Sequence, residues 1–174
     1  MKFRMSAIIL LLLAVFLVAC SDESATEEGN TEDIKELVQY YSQEVIEDES
    51  ASITSTELIV THSDESETIY PLPEDEFFVS IAPYIDVTHP CLNHSLTGCQ
   101  GELVEEEFEV YIEDMEGNVV VDDTLKTEAN GFIDLWLPRD REYKITINHN
   151  GKTVESEIST FEEDGTCITT LQLT

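Results

Sequence analysis

The chain has 174 residues, 38 of them Asp or Glu against 8 Lys or Arg, for a formal net charge of −30. The first nineteen residues hold Lys2, Arg4 and no acid, so the remaining 155 carry 38 acids against 6 bases, a charge of −32. Such a chain repels phosphate backbones and anionic lipid headgroups, which excludes nucleic-acid binding and electrostatic docking to membranes.

In chain order, the positive start Met1-Lys-Phe-Arg, the apolar run from Ile8 to Val18 and the small residue Ala19 make residues 1–19 a secretory signal, too short for a comfortable membrane span. Leu17-Val18-Ala19-Cys20 resembles the bacterial lipobox, which implies cleavage before Cys20 and lipid attachment to its sulfur. Residues 20–30 are polar, acidic and without large apolar side chains, the composition of a disordered tether. The membrane contact expected is therefore the lipid anchor alone, on the outer face of the cytoplasmic membrane.

An N-terminal α/β region is expected over residues 31–75. Ile34, Leu37, Val38, Tyr41 and Val45 fall at helical spacing, which predicts one amphipathic helix from Glu32 to about Asp48 with Asn30 or Thr31 as its N-cap. That helix offers a face for a homodimer. A Ser/Thr-rich linker is expected from Ser50 to Thr56, then a hairpin in which Leu58-Ile-Val and Thr68-Ile-Tyr flank His62-Ser-Asp-Glu-Ser. Pro71 and Pro73 place a boundary near residue 75.

Residues 76–174 read as an antiparallel β-sandwich, making the whole chain α+β. Phe77 to Ile81 is an apolar run, and Phe108, Val110 and Ile112 alternate with acids, the pattern of a strand with one buried face. Turns at Glu116-Gly-Asn, Asn130-Gly, Pro138-Arg-Asp, Asn148-His-Asn-Gly and Asp164-Gly separate further short strands. No phosphate-cradling loop, no G-x-S-x-G elbow and no calcium-loop spacing occurs, so the acid clusters read as a solvated surface.

Chemistry concentrates in Thr88-His-Pro-Cys-Leu-Asn-His-Ser-Leu-Thr-Gly-Cys-Gln-Gly. Cys91 and Cys99 lie on one loop, and Cys167 opens the last strand, leaving three thiols beyond Cys20. Outside the membrane a Cys91–Cys99 staple with an inert Cys167 is ordinary chemistry, but it strands one thiol. Two or three thiolates instead suit Cu(I), or Zn(II) if His94 or His89 completes a tetrahedron. A thiol–disulfide oxidoreductase using Cys91 and Cys99 is a third reading, though it lacks the C-x2-C motif that lowers a thiol's pKa. His62 and His149 sit in turn sequences and read as exposed. Trp136 and Phe132 read as core or platform, and Met115 is the only methionine outside the signal.

Phe77-Phe-Val-Ser-Ile-Ala-Pro-Tyr-Ile, Thr88-His-Pro-Cys with the Cys99 half of its loop, Asn130-Gly-Phe-Ile-Asp-Leu-Trp-Leu-Pro-Arg and Thr166-Cys-Ile-Thr-Thr together resemble the CueP family of copper-binding cell-envelope proteins. The resemblance covers about residues 32 to 174 and is strongest from 76 onward. It implies Cu(I) held by three cysteines, which map onto Cys91, Cys99 and Cys167, with His94 a candidate additional ligand. It also implies copper tolerance by sequestration, and delivery to an envelope cuproenzyme. Members are typically soluble in the periplasm, and the lipobox departs from that pattern. Having more thiols than a two-coordinate ion needs suggests Cu(II) reduction at the expense of a thiol pair.

Overall fold

The structure is a computed structural model that describes residues 25–26 and 31–174. The signal, Cys20 and most of the tether lie outside these residues. In chain order the elements are β1 (Ala25–Thr26), α1 (Thr31–Gln43), β2 (Ser50–Ile53), β3 (Glu57–Thr61), β4 (Glu67–Pro71), β5 (Glu76–Ile81), β6 (His94–Ser95), β7 (Glu107–Asp114), β8 (Val119–Lys126), β9 (Ile133–Pro138), β10 (Glu142–His149), β11 (Lys152–Ser159) and β12 (Cys167–Ile168). The fold is α+β: one helix, then sheets that are antiparallel apart from two short edge pairings, β1 with β4 and β12 with β5. No helix among the described residues is long and apolar enough to cross a membrane.

Helix α1 starts with Glu32 and Asp33 in its first turn, where the macrodipole favours acids. It stops at Gln43, short of the expected Asp48. Its last turn has no basic residue, and Glu44, Glu47, Asp48 and Glu49 crowd the end at which the dipole disfavours negative charge. Glu49 is also engaged elsewhere: its carboxylate accepts the Tyr41 hydroxyl at 2.6 Å and bonds His62 Nδ1 at 2.7 Å. These two bonds hold that carboxylate low and draw the chain toward the β3–β4 hairpin. Val45, expected on the apolar face, is 92 % exposed.

The Ser/Thr-rich stretch expected to be a linker is in part strand β2. Ser50 and Ser52 face outward while Ala51 and Ile53 are buried, an alternation concealed by small side chains. The hairpin forms as expected, with Leu58 paired to Tyr70 and Ile59 to Ile69.

Sheet order is β1-β4-β3-β2-β6, β12-β5-β9 and β11-β10-β7-β8. Strand β5 explains how they stack. Phe77, Val79 and Ile81 join Phe108, Val110 and Ile112 of β7 and Tyr143, Ile145 and Ile147 of β10 in the larger core. Phe78, on the other face, joins Ile34 and Val38 of α1 with Ile53, Leu58 and Leu96 in a second core. A sheet buried on both sides needs a largely apolar strand, and β5 is buried from Phe77 to Ile81 with Ser80 as its one buried polar residue. The apolar face of α1 is thus covered by its own chain. Asp134 of β9 ties the helix down: the Ser42 and Ser80 hydroxyls each donate to its carboxylate at 2.5 Å. Burial pushes that carboxyl above its usual range despite both donors.

Phe78 is fully buried, with its ring edge-on to Trp136 at 5.2 Å between centroids. Replacing it with Ala removes the plug of the second core and is expected to destabilise the chain by about 3–5 kcal/mol, read from denaturant unfolding.

Candidate metal centre

Three segments meet at one end of the central sheet. After β5 the chain leaves along residues 82–93, and Cys91 lies on this loop, half-buried. It returns as the two-residue strand β6, where Ile53 of β2 faces His94 and Ser52 faces Ser95. Next comes a tight turn, in which the Gly98 and Cys99 amides both donate to the Ser95 carbonyl, at 3.2 and 2.9 Å. That turn points Cys99 back toward Cys91. The third segment is β12, parallel to β5 with Cys167 opposite Ser80.

Two close backbone approaches let these segments converge. Gly101 and Gly131 touch: a Cβ on Gly101 would come within 2.4 Å of the Gly131 carbonyl oxygen, and Gly131 has φ +80°. Neither position accommodates a side chain, and the Gly101 amide donates to the Asn130 carbonyl at 2.7 Å, bringing the Cys99 loop onto the start of β9. Gly165 lies equally close to Leu92, whose carbonyl accepts the Cys167 amide at 3.1 Å.

The result is one compact donor group. A sulfur from each of Cys91, Cys99 and Cys167 and a ring nitrogen of His94 all lie within 4.8 Å of one another. Cys91 and Cys167 are joined as a disulfide, with Cα atoms 5.7 Å apart, and Cys99 is a free thiol whose sulfur is 3.7 Å from that of Cys91. The staple that spacing allows, Cys91 to Cys99, is therefore not the bond present. Two sulfurs bound at ~2.3 Å to one ion at tetrahedral or trigonal angles stand roughly 3.7–4.0 Å apart, so Cys99 already keeps a ligand's distance from Cys91.

His94 is fully buried, its ring 4.4 Å from that of Phe132. Nδ1 lies 3.6 Å from the Cys167 sulfur, and Nε2 has no hydrogen-bond partner among the described residues. Burial, reinforced by the nearby His89, lowers its pKa to about 4. The ring is neutral at neutral pH and keeps a lone pair for a metal. Ala82, Phe132 and Cys167 form the apolar floor. This setting suits a soft ion and excludes a hard, hydrated one.

Of the residues singled out from sequence, Cys91, His94, Cys99 and Cys167 converge, and His89 remains outside the group. Phe132 is core, and Trp136 is half-buried beneath the Lys35 ammonium at 5.3 Å. Two expectations fail. His149 is buried, stacked on Phe108 and bonded to the Glu107 carbonyl at 2.8 Å, because its turn folds over the sandwich edge. His62 is half-buried between Glu49 and Thr68. Sequence reasoning did not single out Thr166, fully buried beside the site; its place directly before a ligand-type cysteine was the available signal.

A family model described as periplasmic copper-binding protein CueP matches residues 33–172. Among solved structures, the chain is similar to one described as the crystal structure of S.CueP, at 42% sequence identity, covering 82% of this chain and 88% of that one, with a TM-score of 0.75. No curated protein matches the chain significantly.

Proposed function

The chain belongs to the CueP family of periplasmic copper-binding proteins, and from that premise we propose that it holds Cu(I) through the thiolates of Cys91, Cys99 and Cys167. The observation that carries this reading is the gathering of all three sulfurs with a His94 nitrogen inside 4.8 Å. Thiolates and a neutral imidazole favour a soft cation, and the apolar floor favours an ion that sheds its water readily. Zn(II) is the expected competitor, taking His94 as a fourth ligand. The work is sequestration for copper tolerance outside the cytoplasm, with delivery to an envelope cuproenzyme as its extension. Lipid attachment at Cys20 would tether the site to the outer face of the cytoplasmic membrane.

The test is anaerobic titration of the reduced full chain, carrying Cys20→Ser, with Cu(I) against a competing chelator. One copper per chain and an X-ray absorption shell of sulfur at ~2.3 Å are expected. No competition with the chelator, or a shell of nitrogen and oxygen only, overturns the assignment.

A second reading, thiol–disulfide exchange, is favoured by the free Cys99 thiol 3.7 Å from a disulfide sulfur. Attack of the Cys99 thiolate on Cys91 would form Cys91–Cys99 and release the Cys167 thiolate, with no electrons gained or lost. The same thiols permit Cu(II) reduction: two Cu(II) ions each take one electron as two thiols become a disulfide and release two protons. Mixing reduced protein with Cu(II) under anaerobic conditions decides it by whether Cu(I) appears.

A further inference from the structure

Thr166 is fully buried and its polar atoms reach three segments at once. Its hydroxyl donates to the Ile53 carbonyl of β2 at 2.7 Å and accepts the His94 amide of β6 at 2.9 Å. Its own carbonyl accepts the Ser80 amide of β5 at 2.8 Å. The next residue is Cys167, whose amide donates to Leu92, the neighbour of Cys91. β6 has only two residues, and its ladder to β2 consists of the pairs Ser52–Ser95 and Ile53–His94. Past its C-terminal end the Leu96 amide donates to the Ala51 carbonyl at 2.9 Å and the Thr97 hydroxyl accepts the Ala51 amide at 3.1 Å, and at the end that bears the candidate ligand the Thr166 hydroxyl anchors the His94 amide.

Resting on the copper reading above, we propose that Thr166 is a positioning residue for the metal centre: its single hydroxyl locks the segment bearing His94 to the one bearing Cys167, using β2 of the N-terminal sheet as the fixed post. The N-terminal sheet is then part of the site's frame, although none of its side chains except His94 on the edge strand β6 is among the candidate ligands. The inference also accounts for a buried hydroxyl at this point. The hydroxyl bridges one donor and one acceptor, and burial leaves no water to replace it.

The test uses the reduced full chain carrying Cys20→Ser, alone and with Thr166→Val or Thr166→Ser, in anaerobic Cu(I) competition well below the unfolding temperature. Thr166→Val keeps the shape and removes the hydroxyl, and is expected to weaken Cu(I) binding by roughly 10–100-fold, the range for partners that orient ligands. Thr166→Ser restores the hydroxyl and is expected to bind like its parent. In the metal-free chains, amide exchange at His94 should accelerate in the Val variant and stay slow in the Ser variant. Should Thr166→Val not fold, Thr166→Ala serves as the hydroxyl-free variant. Equal affinity in parent and hydroxyl-free variants overturns the inference and leaves the copper site standing, as does equal loss in Val and Ser. A parent that binds no Cu(I) overturns the copper reading, and this inference with it.

Discussion

Replacing Cys167 with Ser is expected to lower Cu(I) affinity by at least about 100-fold. The scale comes from structural metal sites, where roughly 10–16 kcal/mol shared among four ligands makes each worth ~3 kcal/mol, a factor of about 150. Cys167 is the discriminating residue because the alternatives treat it differently. In a metal site it is one ligand of three, arriving from the far end of the chain. As half of a merely structural Cys91–Cys167 disulfide it would serve stability alone, and its loss would leave copper binding untouched. It is 5 % exposed, so Ser also places a hydroxyl in an apolar floor beside Phe132 and Ala82, and some loss of stability accompanies the loss of affinity. Cys99→Ser controls for this, since Cys99 is half-buried and outside the disulfide. It should lose copper comparably with little change in the unfolding midpoint. Copper binding indifferent to both substitutions would mean the sulfurs are not the ligands.

The sandwich was legible because its signals are local. β7 alternates Phe108, Val110 and Ile112 with acids, and the Asn130-Gly and Asn148–Gly151 turns mark where β9 and β11 begin. β2 was not, since Ser50 and Ser52 fill its outward positions and its buried partners are Ala51 and Ile53, too few and too small to mark a period. The second face of β5 shows in sequence only as the adjacent apolar residues Phe77, Phe78 and Val79, and nothing local says that Phe78 turns toward α1. For the site, the cysteines are conspicuous but their meeting is not. Cys91 and Cys167 are 76 residues apart, and what joins them is a parallel pairing of β12 with β5 that no turn residue encodes. The resemblance to the family supplied that step. His94 shows the remaining gap. A histidine between two cysteines gives no sign in sequence that its ring will be fully buried against Phe132.

Oxidised chain is expected to bind Cu(I) at least about 1,000-fold more weakly than reduced chain, because the Cys91–Cys167 disulfide removes two of the three sulfurs and leaves Cys99 with His94. Stability should move in a pattern that only a shared site explains. A cross-link closing a separation of 76 residues is worth ~4.5 kcal/mol in the chain-entropy model. Reduction without metal gives that up, so the reduced, copper-free chain is the least stable of the three states. Its melting temperature should lie roughly 9–18 °C below that of the oxidised chain, at about 2–4 °C per kcal/mol for a chain of this size. Cu(I) bridging Cys91 and Cys167 ties the same two points, so adding it to reduced protein should restore the melting temperature, whereas adding it to oxidised protein should leave it unchanged. On the proposed copper reading, disulfide and metal are alternative closures of one gap, and copper loading would need a supply of reducing equivalents to open the first before the second can form. Calorimetry of the three states checks this directly. Equal stabilisation of oxidised and reduced chains by Cu(I) would place the metal elsewhere.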